Sequence, residues 1–144
     1  MNIAIGADHA GFLLKEDIKV FLQAQGDNVI DFGTTSTDPI DYPEFGHKVA
    51  LSVQKGESDV GITFCGSGNG INMTANKYPQ IRSAICWKKE IAILAREHND
   101  ANVCALPARF ISKEEAKEIV DAFLHTKFEG GRHERRVNKI PIEL

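Results

Sequence analysis

Val60-Gly61-Ile62-Thr63-Phe64-Cys65-Gly66-Ser67-Gly68-Asn69-Gly70-Ile71 is the stretch that decides the fold. Its first half is apolar and β-branched and reads as a strand buried on both faces. A cysteine ends that strand, and three glycines at alternate positions follow at once. Glycine lets a backbone approach a ligand closely and turn sharply into a helix. A strand–loop–helix joint of this kind aims backbone N–H groups and the positive end of a helix dipole at an anion. A thiol beside such donors is a candidate for chemistry rather than packing.

Outward from this joint the chain alternates strands and helices. Strands are expected at Asn2–Gly6, Asn28–Asp31, Val60–Cys65, Ser83–Cys86 and Val103–Leu106. Leu14, Ile18, Phe21, Leu22 and Gln25 follow helical spacing, and Gly26 is a natural stop. Pro43 suits a helix start, with Phe45, Val49 and Val53 repeating on one face. Further helices are expected over 72–78 and 87–97. Ser112-Lys113-Glu114-Glu115 is a capping box ahead of the stripe Ala116, Ile119, Val120 and Phe123. Five βα units imply an α/β fold: a five-stranded parallel sheet covered on both faces, a three-layer α/β/α sandwich in one domain over 1–144.

The 144 residues can bury one substantial core. With 42% hydrophobic and 26% charged residues, the composition is that of an ordinary globular protein. A net charge of −3 argues against a general nucleic-acid binder. No stretch approaches the ~20 apolar residues that span a bilayer, and Met1-Asn2-Ile3-Ala4-Ile5-Gly6 reads as a strand, not a signal peptide. Cys65, Cys86 and Cys104 are odd in number and set among apolar residues, so reduced thiols and a cytoplasmic location are expected.

Other polar residues fall where an open α/β sheet places its ligands, beyond the carboxyl ends of the strands. Asp8 and His9 follow the first strand; Asp8 reads as a helix cap or as a site residue. Asp41 opens the second helix, and Tyr42 is either a core aromatic or a hydroxyl facing the site. His98 follows the fourth helix in this reading and precedes the fifth strand, which puts it at the opposite edge of the sheet from Cys65. Such a histidine is either a helix-end cap or a catalyst that reaches into a neighbouring subunit's site. Near the end, Arg132 and Arg136 lie one helical turn apart. They either sit on a solvated charged helix or grip one phosphate together. A helix beyond the last strand also favours packing on a partner subunit.

Several motifs are absent. A P-loop needs Gly-Lys-Ser/Thr, but Ile71 follows Gly70. A cysteine-phosphatase loop needs an arginine six residues after the cysteine, where Ile71 stands. The glycine run is one residue short of a dinucleotide fingerprint. His9, His47, His98, His125 and His133 show no paired ligand spacing, so no metal is expected. A phosphorylated small molecule, a thiol and at least one histidine remain.

Six ordered motifs then carry a resemblance over the whole chain. They are Gly6-Ala7-Asp8-His9-Ala10-Gly11, Asp41-Tyr42-Pro43, Cys65-Gly66-Ser67-Gly68-Asn69-Gly70, Ala75-Asn76-Lys77, Arg96-Glu97-His98-Asn99-Asp100-Ala101-Asn102 and Glu129-Gly130-Gly131-Arg132-His133. Together they resemble the B-type ribose-5-phosphate isomerases and the related galactose-6-phosphate isomerase subunits. The resemblance implies a Rossmann-like sandwich working as dimers or dimers of dimers, with sites at the subunit interface and no cofactor. It implies that Cys65 is the general base. A second branch of the family carries a glutamate at the position of Ile71, which here takes no protons. By the same resemblance His98 opens the furanose ring with help from Asp8, and the amides of Gly66, Ser67, Gly68, Asn69 and Gly70 stabilise the enediolate. His9, Arg109, Arg132 and Arg136 match positions linked to phosphate and substrate binding, Asn99 matches a contact to a sugar hydroxyl, and Tyr42 belongs to the substrate pocket.

The chemistry fits these groups. Moving a proton between C1 and C2 through a cis-enediolate needs one base on one face. A thiol, ordinarily near pKa ~8.5, is lowered toward neutrality by a helix N-terminus and can then shuttle both ways. Each N–H on the enediolate is worth roughly 3 kcal/mol. Interconversion of ribose 5-phosphate and ribulose 5-phosphate is the expected reaction. Isomerisation of galactose or allose 6-phosphate is the nearest alternative, and a non-catalytic phosphosugar-binding module the more distant one.

Overall fold

A computed structural model describes residues 1–144. The elements run β1 (Asn2–Ala7), α1 (Phe12–Ala24), β2 (Asn28–Asp31), α2 (Tyr42–Gln54), β3 (Val60–Cys65), α3 (Asn69–Ala75), β4 (Ser83–Ile85), α4 (Lys89–Asn99), β5 (Val103–Pro107), α5 (Lys113–His125) and α6 (Arg132–Val137). All strand pairs are parallel, in the order β2-β1-β3-β5-β4. Helices α1, α4 and α5 pack together over one face, and α2 and α3 over the other. The chain is thus a three-layer α/β/α sandwich with a five-stranded parallel sheet, extended by α6, which rests on α4.

The layers follow from where the apolar residues fall. Ile3, Ile5 and Ala7 point to the α1/α5 side together with Ile62, Phe64, Cys104 and Leu106, in the largest core cluster. The opposite face carries Phe45, Cys65, Ile71 and Ala105 in a smaller cluster, so the Cys65 side chain lies beneath α2 and α3. Helix α5 begins with the expected capping box: the Glu115 amide donates to Ser112 Oγ at 3.1 Å, and the Ser112 amide to Glu115 Oε1 at 3.0 Å.

Two helix boundaries and one buried lysine differ from what the sequence pattern predicts. Helix α3 starts at Asn69, three residues earlier than expected, because Gly68 adopts φ 77° and turns the chain directly into it. Helix α4 runs on to Asn99, so His98 and Asn99 sit in its last turn and not in a following loop. Lys15 lies on the apolar stripe of α1, fully buried. Its Nζ meets both oxygens of Asp31 at 2.9 and 2.8 Å and Glu16 Oε1 at 2.7 Å, while Lys19 adds contacts to both carboxylates. Burial alone raises the Asp31 carboxyl; the hydrogen bonds from Lys15, Lys19 and the Gly33 amide outweigh it and hold the group below its ordinary value. This network ties α1 to the end of β2.

Candidate active site

Strand order reverses between β1 and β3, since β1 leads to β2 on one side and β2 crosses back to β3 on the other. In an open α/β sheet the crevice beyond the carboxyl ends at such a point receives the ligand. Ala7 is paired with Phe64, so Asp8 and Cys65 leave the sheet side by side at this crevice. The Asp8 amide donates to the Phe64 carbonyl at 3.3 Å. Asp8 itself is buried, and its Oδ1 accepts from the Gly11 amide at 3.1 Å, which fixes the carboxylate in the turn before α1. It does not occupy the N-cap position, which belongs to Gly11.

Cys65 ends β3 only 5% exposed, against Phe45, Ile71 and Ala105. Its carbonyl accepts from the Ala108 amide at 2.9 Å, and the Gly66 carbonyl accepts from the Arg109 amide at 3.0 Å. These bonds anchor the loop to the end of β5 and lay the Arg109 side chain over Gly66, where Nη1 is 3.1 Å from the point a Cβ would occupy. The amides of Gly66, Ser67 and Gly68 donate to nothing within the chain, while the Asn69 amide donates to Ser67 Oγ at 3.2 Å. Three free N–H groups beside a thiol form a pocket suited to developing negative charge on oxygen.

Tyr42 closes this edge from α2. Its ring lies so close to Gly70 that a Cβ there would be 2.4 Å from Cε1 and Cζ. The residue is 40% exposed, so it is not a core aromatic. His9 is half-buried, with Nδ1 3.2 Å from both the amide and the carbonyl of Ile40. Asp8, His9, Tyr42, Cys65, Gly66, Ser67, Gly68, Asn69, Gly70 and Arg109 therefore share one edge of the sheet. A groove of about 500 Å³ borders the loop at Ser67 and Asn69 and is walled by Trp87, Lys88 and Phe110.

His98, Asn99, Arg132 and Arg136 are not at that edge. The last turn of α4 leads into the amino end of β5, where Arg82 Nε donates to the carbonyls of Asn99 and Asp100 at 3.1 and 2.9 Å. β3 spans six residues, so roughly 16 Å of strand separates the two edges. Helix α6 packs on α4 and exposes both Arg132 and Arg136. The larger groove, about 750 Å³, lies here along β4 and the C-terminal tail; of the expected site residues it includes only Asn99.

One arrangement escaped the sequence reading. The rings of His98 and His133 stack with centroids 4.1 Å apart and planes 11° from parallel. Glu129 Oε2 lies 3.2 Å from His133 Nε2. His98, Glu129 and His133 thus place ligand-type atoms within 4.8 Å of one another, although no histidine pair has metal-ligand spacing in the sequence. The signal lay in Glu129 and His133, four residues apart across a Gly-Gly turn.

The remaining thiols are packing groups. Cys104 on β5 and Cys86, just past the end of β4, are fully buried, and the hydrogen bond with Cys86 together with burial pushes Cys104 up. No helix of the structure is long and apolar enough to cross a membrane.

Comparison with known proteins agrees with this layout. The Ribose/Galactose Isomerase family model matches residues 3–140. Ribose-5-phosphate isomerase B of Escherichia coli (strain K12) is 49% identical over 139 residues, covering 96% of this chain and 93% of that protein. The structure of Clostridium thermocellum ribose-5-phosphate isomerase B superposes with a TM-score of 0.96 at 51% identity, over 97% of this chain and 95% of that one. The Mycoplasma genitalium ribose-5-phosphate isomerase B, solved with bound ribulose-5-phosphate, gives 0.93 at 43% identity over 96% and 93%. With its architecture and nearly its whole length shared with these proteins, the chain belongs to the ribose/galactose isomerase family of sugar-phosphate isomerases.

Proposed function

We propose that the chain interconverts ribose 5-phosphate and ribulose 5-phosphate, with Cys65 as the proton shuttle and no metal in the reaction. The observation that carries this reading is the placement of the Cys65 thiol beside the free amides of Gly66, Ser67 and Gly68, with Asp8 just past the end of the adjoining strand. The Escherichia coli, Clostridium thermocellum and Mycoplasma genitalium relatives, all ribose-5-phosphate isomerases B, support the pentose phosphate as substrate.

The reaction begins with the furanose form. His98, assisted by Asp8, moves the proton of the anomeric hydroxyl to the ring oxygen as the C1–ring-oxygen bond breaks, leaving an open aldehyde. The Cys65 thiolate then takes the proton from C2. The resulting enediolate carries its charge on oxygens facing the loop amides, where each donor lowers the barrier by roughly 3 kcal/mol. Cys65 returns the same proton to C1 while the O2 hydroxyl proton passes to O1, giving the ketose. Arg109, Arg132, Arg136 and His9 bind the phosphate and the chain of hydroxyls, Asn99 meets a sugar hydroxyl, and Tyr42 closes the pocket. Remote phosphate binding holds the open chain in register for the proton transfer.

A second copy completes the site. The separation of roughly 16 Å between sheet edges is longer than a pentose phosphate can bridge with its reacting carbons, so Cys65 and His98 act on one substrate only when they come from two chains. A homodimer or dimer of dimers places α4 and α6 of one protomer over the glycine loop of its partner.

The test compares turnover of ribose 5-phosphate with that of galactose and allose 6-phosphates, for the native chain and Cys65→Ser. Preference for the pentose and near-complete loss in the variant, with phosphate affinity retained, are expected. Preference for a hexose phosphate would reassign the substrate, and native-like turnover by Cys65→Ser would remove Cys65 as the base. Turnover unchanged after exhaustive chelation is expected as well.

A further inference from the structure

His133 has no part in the chemistry proposed above, yet it is built into the structure with care. It is 6% exposed in a helix whose Arg132, Glu134, Arg135 and Arg136 all face solvent. Its ring covers one face of His98, whose imidazole makes no hydrogen bond within the chain. Behind His133, the Glu129 carboxylate lies 3.2 Å from Nε2, a charge contact when the imidazole is protonated. Glu129 is held in turn: its amide donates to the carbonyl of Glu97, the residue before His98, at 3.1 Å. Gly130 and Gly131, at φ 68° and 56°, turn the chain so that Glu129 and His133 meet. Both members of the pair are thus fastened to the turn of α4 that carries His98.

Two uses of this cluster are conceivable chemically, and the geometry separates them. A zinc-type ion needs nitrogen lone pairs converging at about 2 Å from a common point. Lone pairs lie in the ring planes, and rings stacked 11° from parallel aim theirs side by side. Stacking does serve orientation. A terminal imidazole torsion is broad and roughly two-fold, so a ring without hydrogen bonds is free to turn unless a neighbour covers it.

We propose that His133, held by Glu129, is a positioning residue that fixes the ring plane of His98 for proton transfer during ring opening. The proposal rests on the reading of His98 as the ring-opening group. It predicts a selective defect. Ribose 5-phosphate is mainly a furanose, whereas its 4-deoxy analogue, with the C5 hydroxyl esterified, has no hydroxyl able to close a furanose on C1. Only the first substrate needs an oriented His98.

The experiment measures turnover of ribose 5-phosphate and of its non-cyclising 4-deoxy analogue for His133→Ala, His133→Phe and Glu129→Gln, with His98→Asn as reference. Alanine at 133 should lower kcat on ribose 5-phosphate on the order of 10-fold, with KM and turnover of the 4-deoxy analogue within about 2-fold of native. Phenylalanine, which keeps a ring to stack on, should restore most of that loss. Equal losses on both substrates, or phenylalanine no better than alanine, would overturn the proposal. NMR of the His98 ring protons supplies a readout independent of turnover. Their ring-current shift should vanish in His133→Ala and persist in His133→Phe; unchanged shifts in His133→Ala would also overturn it. If His98→Asn turns over ribose 5-phosphate like the native enzyme, the reading of His98 fails, and the NMR arm alone then decides whether His133 orients it.

Discussion

Cys65 and His98 lie at opposite edges of one sheet, and this makes a quantitative prediction about mixed subunits. With Cys65 as the proposed base and His98 as the proposed ring-opening group, the Cys65→Ala and His98→Ala homodimers should each be inactive on ribose 5-phosphate at both of their sites. In a hybrid dimer, one site pairs the mutated Cys65 position with the mutated His98 position and is dead. The other pairs an intact Cys65 with an intact His98. Random reassortment of equal amounts puts about half of the molecules in hybrid form, each with one of two sites restored, so about a quarter of native activity should return. The assay is ribose 5-phosphate turnover after the two variants are mixed, unfolded and refolded together, with differently tagged chains to count hybrids. Activity should track the hybrid fraction linearly as the mixing ratio varies. Hybrids present in the expected proportion without any recovered turnover would refute the shared site and require Cys65 and His98 to act in separate roles.

Two further outcomes follow from the packing. Gly70→Ala puts a methyl group inside the Tyr42 ring, at 2.4 Å from two of its carbons; overpacking of this kind costs about 1–3 kcal/mol, seen as a lowered Tm. Adding Tyr42→Ala should recover the stability and not the turnover, whereas a Gly70→Ala chain as stable as native would contradict the contact. Asp31→Asn leaves the buried Lys15 ammonium with Glu16 alone and should cost about 3 kcal/mol in chemical denaturation at neutral pH. Because burial is outweighed by the lysine hydrogen bonds, the Asp31 carboxyl titrates lower in the folded than in the unfolded chain. Its contribution is therefore full above the unfolded value near ~4 and is lost as pH falls through the folded value, so native and variant stabilities should converge in acid. A gap that persists unchanged in acid would show that the charge pair is not its source.

The fold was legible because its signals are local. β-branched runs closed by glycine, the Pro43 start and the Ser112–Glu115 capping box each name an element without help from the rest of the chain. The strand order β2-β1-β3-β5-β4 was not, since a fully buried parallel strand such as Ile62–Phe64 looks alike in any central position. Of the candidate site, the glycine loop and Asp8 stood out because function and turn chemistry coincide there. The place of His98 was not legible: the sequence 87–97 carries the apolar stripe, and the last turn of α4 beyond it is polar, with the C-cap Asp100 at φ 47°. The stack of His98 on His133 and the burial of Lys15 depend on contacts 35 and 16 residues apart in sequence, which no local pattern encodes.

The Lys15–Asp31–Glu16–Lys19 network has a consequence for heat. Ionic groups lose favourable hydration as temperature rises, so the penalty for keeping Lys15 out of water shrinks while its attraction to the two carboxylates remains. The fastening between α1 and β2 thus tightens on warming, at the temperatures where apolar packing gains nothing more. The turn bearing Asp8 and His9 opens directly into α1, so the sheet edge that carries Asp8 and Cys65 is clamped most firmly when the rest of the molecule is nearest to melting.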